Sequence, residues 1–175
     1  ADAQTILREA IAAVQPEAAV TRALAQLPPC HGRRILVAVG KAACPMASAA
    51  LQALDGHVHA GIVITKHGHG VPRPAPLQVL EAGHPVPDAA TYAATAQALA
   101  LTANLTPADQ VLFLLSGGGS ALFEQPLLPP QELADVTQQL LACGAAIAQV
   151  NTIRKRLSAV KGGRFALHCA PAQVW

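Results

Sequence analysis

Val111-Leu112-Phe113-Leu114-Leu115-Ser116-Gly117-Gly118-Gly119-Ser120 passes from an unbroken apolar run straight into glycine and hydroxyl. A continuous apolar segment of this length predicts a strand buried on both faces, and the glycines predict a tight loop at its carboxyl end. Lacking Cβ atoms, the three glycines can take positive φ and let backbone N–H groups converge on an anion, while the flanking serines add two hydroxyl donors. The same residues also suit a turn that merely joins a strand to a helix, so composition alone leaves phosphate binding and plain connection both open.

Ile35-Leu36-Val37-Ala38-Val39 repeats the pattern, bounded by Gly40 and followed by an Ala-rich, helix-favouring stretch from Met46 to Leu54. Gly61 to Thr65 and Leu77 to Leu80 are two further strand signals, separated by a loop rich in Gly, His and Pro. Helices are expected from Ile6 to Val14, from Pro16 to Leu27, from an Asp88 cap to Thr102, from Gln131 to Cys143 and from Thr152 to Val160. Gly162-Gly163 is expected to stop the last of these, and Ala172 to Trp175 to begin another strand. Continuous apolar strands alternating with helices predict a three-layer, Rossmann-like α/β fold, a mostly parallel sheet with helices on both faces. In such folds ligands sit beyond the carboxyl ends of the strands, so the turns at Gly40-Lys41 and Ser116–Ser120 are expected to share one crevice.

The 175 residues suit a single domain. Hydrophobic residues make up 52% and aromatics only 3%, which predicts a core of Ala, Val, Leu and Ile. With only 13% charged residues, a covered face is expected, either an oligomer contact or a partner region. A net charge of +2 without a basic tract argues against nucleic acid. No window has the length of a membrane span and the start lacks a signal-peptide pattern, so a cytoplasmic protein is expected. Cys30, Cys44, Cys143 and Cys169 are irregularly spaced, which predicts reduced thiols and neither a zinc nor a redox motif.

Lys41 places an ammonium at a strand-to-helix turn, where it can stabilise a phosphoryl group or carboxylate, or simply be solvated. Neither a Walker pattern nor a Gly-x-Gly-x-x-Gly after a strand is present; Gly68-His69-Gly70 comes nearest, but Pro72 follows. The pairs His57/His59 and His67/His69 invite a metal reading, but no ligand set completes it, and no metal residue is assigned. His84, at a strand end beside Gly83, can donate to an anionic substrate or serve as a buried loop histidine. In Asn151 to Gly163, Asn151 or Thr152 is expected to cap a helix on which Arg154, Leu157 and Lys161 share a face, bringing cations toward a carboxylate or phosphate unless that face is simply solvated.

Five segments in register resemble the class II glycerate 2-kinases: Val39-Gly40-Lys41-Ala42-Ala43, Lys66 to Gly70, Glu81 to Asp88, Leu115 to Ala121, and Asn151 to Lys155 with Lys161-Gly162-Gly163. The resemblance implies ATP-dependent phosphorylation of D-glycerate to 2-phosphoglycerate with Mg2+, at a site between a larger Rossmann-like domain and a smaller one. It implies catalysis by Lys41, nucleotide or glycerate oxygens cradled by Gly40, Ser116, Gly117, Gly118, Gly119 and Ser120, and substrate contacts from His84, Asn151, Arg154 and Lys161. Members of that family continue into a later part with a second catalytic arginine and the small domain. Residues 1–175 are therefore expected to be one partial Rossmann-like domain, a fragment that can be inactive alone and can associate with the missing region. Some members carry the label hydroxypyruvate reductase, and that activity or a non-catalytic ligand-binding or assembly module are the other readings. The lack of a nicotinamide fingerprint favours the kinase.

Overall fold

The computed structural model describes residues 2–72 and 75–175. Arg73 and Pro74, inside the Gly-, His- and Pro-rich loop, lie outside the described residues. Two helices, α1 (Asp2–Ala13) and α2 (Pro16–Leu24), precede β1 (Arg34–Val39), α3 (Ala43–Ala53), β2 (Ala60–Lys66) and β3 (Leu77–Ala82). Next come α4 (Ala89–Leu101), β4 (Gln110–Leu115), α5 (Gly119–Leu122), α6 (Pro130–Ala142), α7 (Ile147–Arg156), α8 (Arg164–His168) and the short β5 (Gln173–Val174).

The strands form one sheet in the order β3-β2-β1-β4-β5, and every pairing is parallel. The expected three-layer α/β arrangement is observed. Because residue direction alternates along a strand, Leu36, Ala38, Val63 and Leu112 pack with α2 and α3, while Ile35, Val37, Ile62 and Ile64 pack with α4. The chain grows from β1 to β2 and β3 in one direction, then returns past β1 to β4. That reversal creates a switch point between β1 and β4, where open α/β sheets bind ligands.

Local chemistry explains the main elements. Alanines make up most of the buried face of α3, at Ala43, Ala47, Ala49 and Ala50, and Pro45 is accommodated in its first turn, so the helix starts before Met46. Asp88 caps α4 as expected: its carboxylate accepts from the Thr91 amide at 2.8 Å, and the Thr91 hydroxyl accepts from the Asp88 amide at 3.1 Å. The core departs from the aliphatic expectation at one place. All three phenylalanines, Phe113, Phe123 and Phe165, cluster in tilted and edge-to-face contacts with ring centroids 4.6 to 5.5 Å apart. The four cysteines are free thiols. The apolar residues Ile6, Leu7, Ile11 and Val14 of the first helix and its end are exposed.

The basic segment folds differently from its sequence reading. Gly144, at φ +72, separates α6 from α7, which begins at Ile147, so Asn151 and Thr152 are interior helical residues and cap nothing. The helix ends at Arg156 because the following backbone pairs with another segment: Leu127 N–H donates to Leu157 O at 2.9 Å and Ala159 N–H to Gln125 O at 2.8 Å. Lys161 therefore lies beyond the helix and shares no helical face with Arg154. Gly162 and Gly163, at φ +64 and +87, lead into α8, which the sequence reading did not anticipate.

Candidate functional site

The glycine turns after β1 and β4 are bonded to one another. Ser116 N–H donates to Val39 O at 2.9 Å, Lys41 N–H to Gly117 O at 2.9 Å, and Ala42 N–H to the Ser116 hydroxyl at 3.1 Å. That hydroxyl in turn donates to Val39 O at 3.3 Å. Gly40 has φ +126, and a Cβ there would stand 2.1 Å from Ser116 Oγ, so only glycine lets the two turns close. The two turns thus meet at the switch point, but no cleft that both of them line is found among the described residues. The Ser116 hydroxyl, expected as an anion donor, already bonds backbone on both sides and braces the loop.

Of the three glycines in the loop, only Gly118 takes a positive φ, +90; the expectation that all three supply such geometry is corrected. His84 reaches the loop from the end of β3. A Cβ on Gly118 would lie 2.9 Å from His84 Cδ2 and 3.0 Å from Nε2, so the imidazole rests directly on this glycine. Gly117, by contrast, faces open space, and the Gly117 and Gly118 amides take no backbone partner among the described residues. These two N–H groups, the exposed Ser120 hydroxyl and the imidazole are the groups an anion can meet here. Lys41 is exposed, and among the described residues its ammonium forms no ion pair.

Beside the loop lies a cleft of about 460 Å³ with the phenylalanine cluster in its wall. Gly119 and Ser120 form one side, and Asn151, Arg154 and Lys161 another. Of the sequence-predicted residues, Gly119, Ser120, Asn151, Arg154 and Lys161 are thus brought together, although not by one helix face, whereas Lys41 and His84 do not line this cleft. Arg154 has no acidic partner within ion-pair distance among the described residues. Lys161 is different: its ammonium contacts Glu124 Oε2 at 2.9 Å, Ser120 O at 2.8 Å and Phe123 O at 2.9 Å. An ammonium has three donors, so all are engaged within the protein, and the expected substrate contact would require Lys161 to give up one of these bonds. Burial pushes the Lys161 ammonium below its usual range, the Glu124 carboxylate opposes that shift, and Arg154 adds to it.

Glu124 was missed by the sequence reading. It is the sole acidic residue between Asp109 and Glu132, directly after the apolar Ala121-Leu122-Phe123, and that isolation was the available signal. The histidine pairs have protein partners. His67 Nε2 lies 2.8 Å from Asp88 Oδ2, and its Nδ1 lies 3.9 Å from Glu81 Oε2. Glu81 Oε1 also accepts from the Gly70 amide at 2.7 Å, and this bond leads the interactions that hold the Glu81 carboxyl below its usual range. His59 Nδ1 accepts from the Arg34 amide at 3.1 Å. Among the described residues no group of three or more His, Cys, Asp and Glu is placed to hold a metal ion. No helix among them is long and apolar enough to cross a membrane. A separate apolar groove of about 370 Å³ beside α2 and β4 has no charged lining residue and stands apart from this chemistry.

Three comparisons bear on this arrangement. A family model described as a domain of unknown function, DUF4147, matches residues 2–175. A Thermotoga maritima protein named D-glycerate 2-kinase is 48% identical over 171 residues, covering 97% of this chain and 40% of the relative. An Agrobacterium vitis protein named, provisionally, a hydroxypyruvate reductase is 40% identical over 171 residues, covering 97% of this chain and 38% of that protein. The crystal structure of the Thermotoga maritima glycerate kinase superposes with a TM-score of 0.92 at 48% identity, covering 98% of this chain and 42% of the other. The chain thus spans about two fifths of the length of the relatives it matches.

Proposed function

The chain belongs to the family described as a domain of unknown function, DUF4147, and on that premise we propose that it forms the lysine-bearing part of a glycerate 2-kinase, which transfers the γ-phosphoryl group of ATP to D-glycerate. The observation that carries the reading is the junction of two glycine turns at the switch point, where among the described residues Lys41 on one forms no ion pair and the Gly117 and Gly118 amides on the other take no backbone partner. Phosphoryl transfer requires positioning and stabilisation of negative charge, and little covalent chemistry from the protein. ATP supplies the transferable group when bound. Lys41 is the proposed catalytic residue, stabilising charge on the phosphoryl oxygens while holding the acceptor in line. Gly40 and the braced Ser116 set the loop, Gly119 closes it by donating its N–H to Ser116 O at 3.2 Å, and Gly117, Gly118 and Ser120 present N–H and hydroxyl donors to phosphate or glycerate oxygens. His84, Asn151 and Arg154 are the proposed glycerate contacts, with Arg154 matching a carboxylate as a forked donor.

The donor set fits the phosphates of a nucleotide. It does not by itself fit Mg2+, because the described residues lack a ligand cluster; the ion is proposed to enter on the nucleotide's own phosphates, as Mg2+ commonly does. The reductase named among the relatives is the second reading. Against it stands the lack of a Gly-x-Gly-x-x-Gly turn after any strand. A cytoplasmic location accompanies the kinase proposal.

The test is a chimera in which this chain replaces the matching two fifths of the Thermotoga maritima relative. Phosphorus NMR with Mg-ATP and D-glycerate is expected to show a 2-phosphoester that disappears with Lys41→Ala. A chimera that melts cooperatively but makes no phosphoester, or one unaffected by Lys41→Ala, overturns the proposal. Oxidation of a reduced nicotinamide with hydroxypyruvate would select the second reading.

A further inference from the structure

Glu124 and Lys161 are the most deeply buried ion pair at this end of the sheet, with side chains 3% and 13% exposed. Their surroundings are one-sided. Lys161 has three acceptors for three hydrogens, whereas Glu124 Oε1 is buried with no hydrogen-bond partner. A half-satisfied buried pair is a poor stabiliser, since apolar residues of similar bulk commonly do as well or better. Its geometry does something else. Ser120 O and Phe123 O belong to α5 and its C-terminal cap, and carbonyls at that end of a one-turn helix have no helical partners. So short a helix cannot hold itself by cooperativity. The Lys161 ammonium binds both carbonyls, and the Glu124 amide donates to Thr95 Oγ1 of α4 at 3.1 Å, tying the same segment to the opposite side.

Taking the Gly117–Ser120 loop as the phosphate-side wall of the proposed phosphotransferase, we propose that Lys161 and Glu124 are a positioning pair. Lys161, held by Glu124, acts through the Ser120 and Phe123 carbonyls to fix the glycine loop against Asn151 and Arg154, and does not itself touch the anion. The two opposite charges cancel. The positive charge that remains on that wall of the cleft comes from Arg154 and Lys155.

The test compares wild type with Glu124→Gln and with the double variant Lys161→Met/Glu124→Leu, which keeps the bulk and removes both charges. Hydrogen exchange is read at residues 119–123 and at the β2 amides 62–65, and ATP binding is measured by calorimetry. A positioning pair predicts exchange about ten-fold faster at 119–123 in both variants, with β2 still protected, because local opening no longer breaks charge-assisted bonds. ATP affinity then falls together in both. Unchanged exchange in the double variant overturns the inference, as does tighter ATP binding by Glu124→Gln with loss in the double variant, the signature of a direct ligand. Both measurements are made in the chimera, and if the wild-type chimera binds no ATP, the kinase reading loses its support while the exchange data still decide the role of the pair.

Discussion

Gly40 and Ser116 meet across the gap between β1 and β4 so closely that a Cβ on Gly40 would stand 2.1 Å from the Ser116 hydroxyl oxygen and 2.7 Å from its carbonyl oxygen. Both obstacles are fixed. The hydroxyl is bonded to Val39 O and the Ala42 amide, and the carbonyl is backbone. Gly40→Ala is therefore expected to destabilise the protein by about 2 to 4 kcal/mol, combining φ strain with a clash that no side-chain rotation relieves. Chemical denaturation measures it, and a midpoint equal to wild type would show that the two turns are free to separate.

Lys41 makes the contrasting case. Its side chain is exposed and unpaired among the described residues, so Lys41→Ala should change stability by no more than about 0.5 kcal/mol. In the chimera, phosphoryl transfer should fall by about 10² to 10³, as for other fixed charge-stabilising donors. A loss of activity matched by an equal loss of stability would make Lys41 structural.

Neighbouring glycines of the loop should respond oppositely to alanine. Gly117 has open space around it and no positive φ, so Gly117→Ala should be within about 0.5 kcal/mol of wild type. Gly118→Ala should cost about 1 to 3 kcal/mol, because φ is +90 and the His84 ring occupies the added carbon's surroundings. Adding His84→Ala should recover the steric part and leave the φ strain. Equal melting of the two single variants contradicts this assignment.

Acid sensitivity should centre partly on Asp88. Burial raises this carboxyl, but His67, Thr91 and the Gly83 amide outweigh it and bring it from 3.8 to about 2. A depressed folded value contributes stability above the unfolded value, and that contribution is lost as pH falls through the folded one. The relevant window runs from 3.8 down to about 2. Asp88→Asn, which can still cap α4, should narrow the loss of stability across that window in acid titrations followed by circular dichroism. The change should be modest, because the Asp88 and His67 side chains are 42% and 56% exposed and solvent screens them. Identical acid profiles would remove Asp88 from the acid response.

Local pattern was enough to read the strands β1 to β4. β1, β2 and β4 are short, largely apolar runs bounded by turn residues, and such runs have little else to be; β3, at the sheet edge with Gln78 and Glu81 exposed, was legible from Leu77, Val79 and Leu80 after the Gly- and Pro-rich loop. The Asp88 cap was equally legible, since its partner Thr91 is three residues away. The end of α7 was not. Residues 157–159 carry helix-compatible side chains, yet they pair with residues 125–127, a competing interaction 30 to 34 positions away.

By itself the sequence determined the parallel α/β class, the two glycine turns at strand ends and the lysine on one of them, because each depends on neighbours within a few residues. Only the tertiary structure decided that Ser116 braces the turns, that His84 rests on Gly118, and that Lys161 is held by Glu124. These contacts join residues 34 to 77 positions apart. A hydroxyl, an imidazole and an ammonium carry several possible roles in a linear chain, and the partners that reach them first after folding select one.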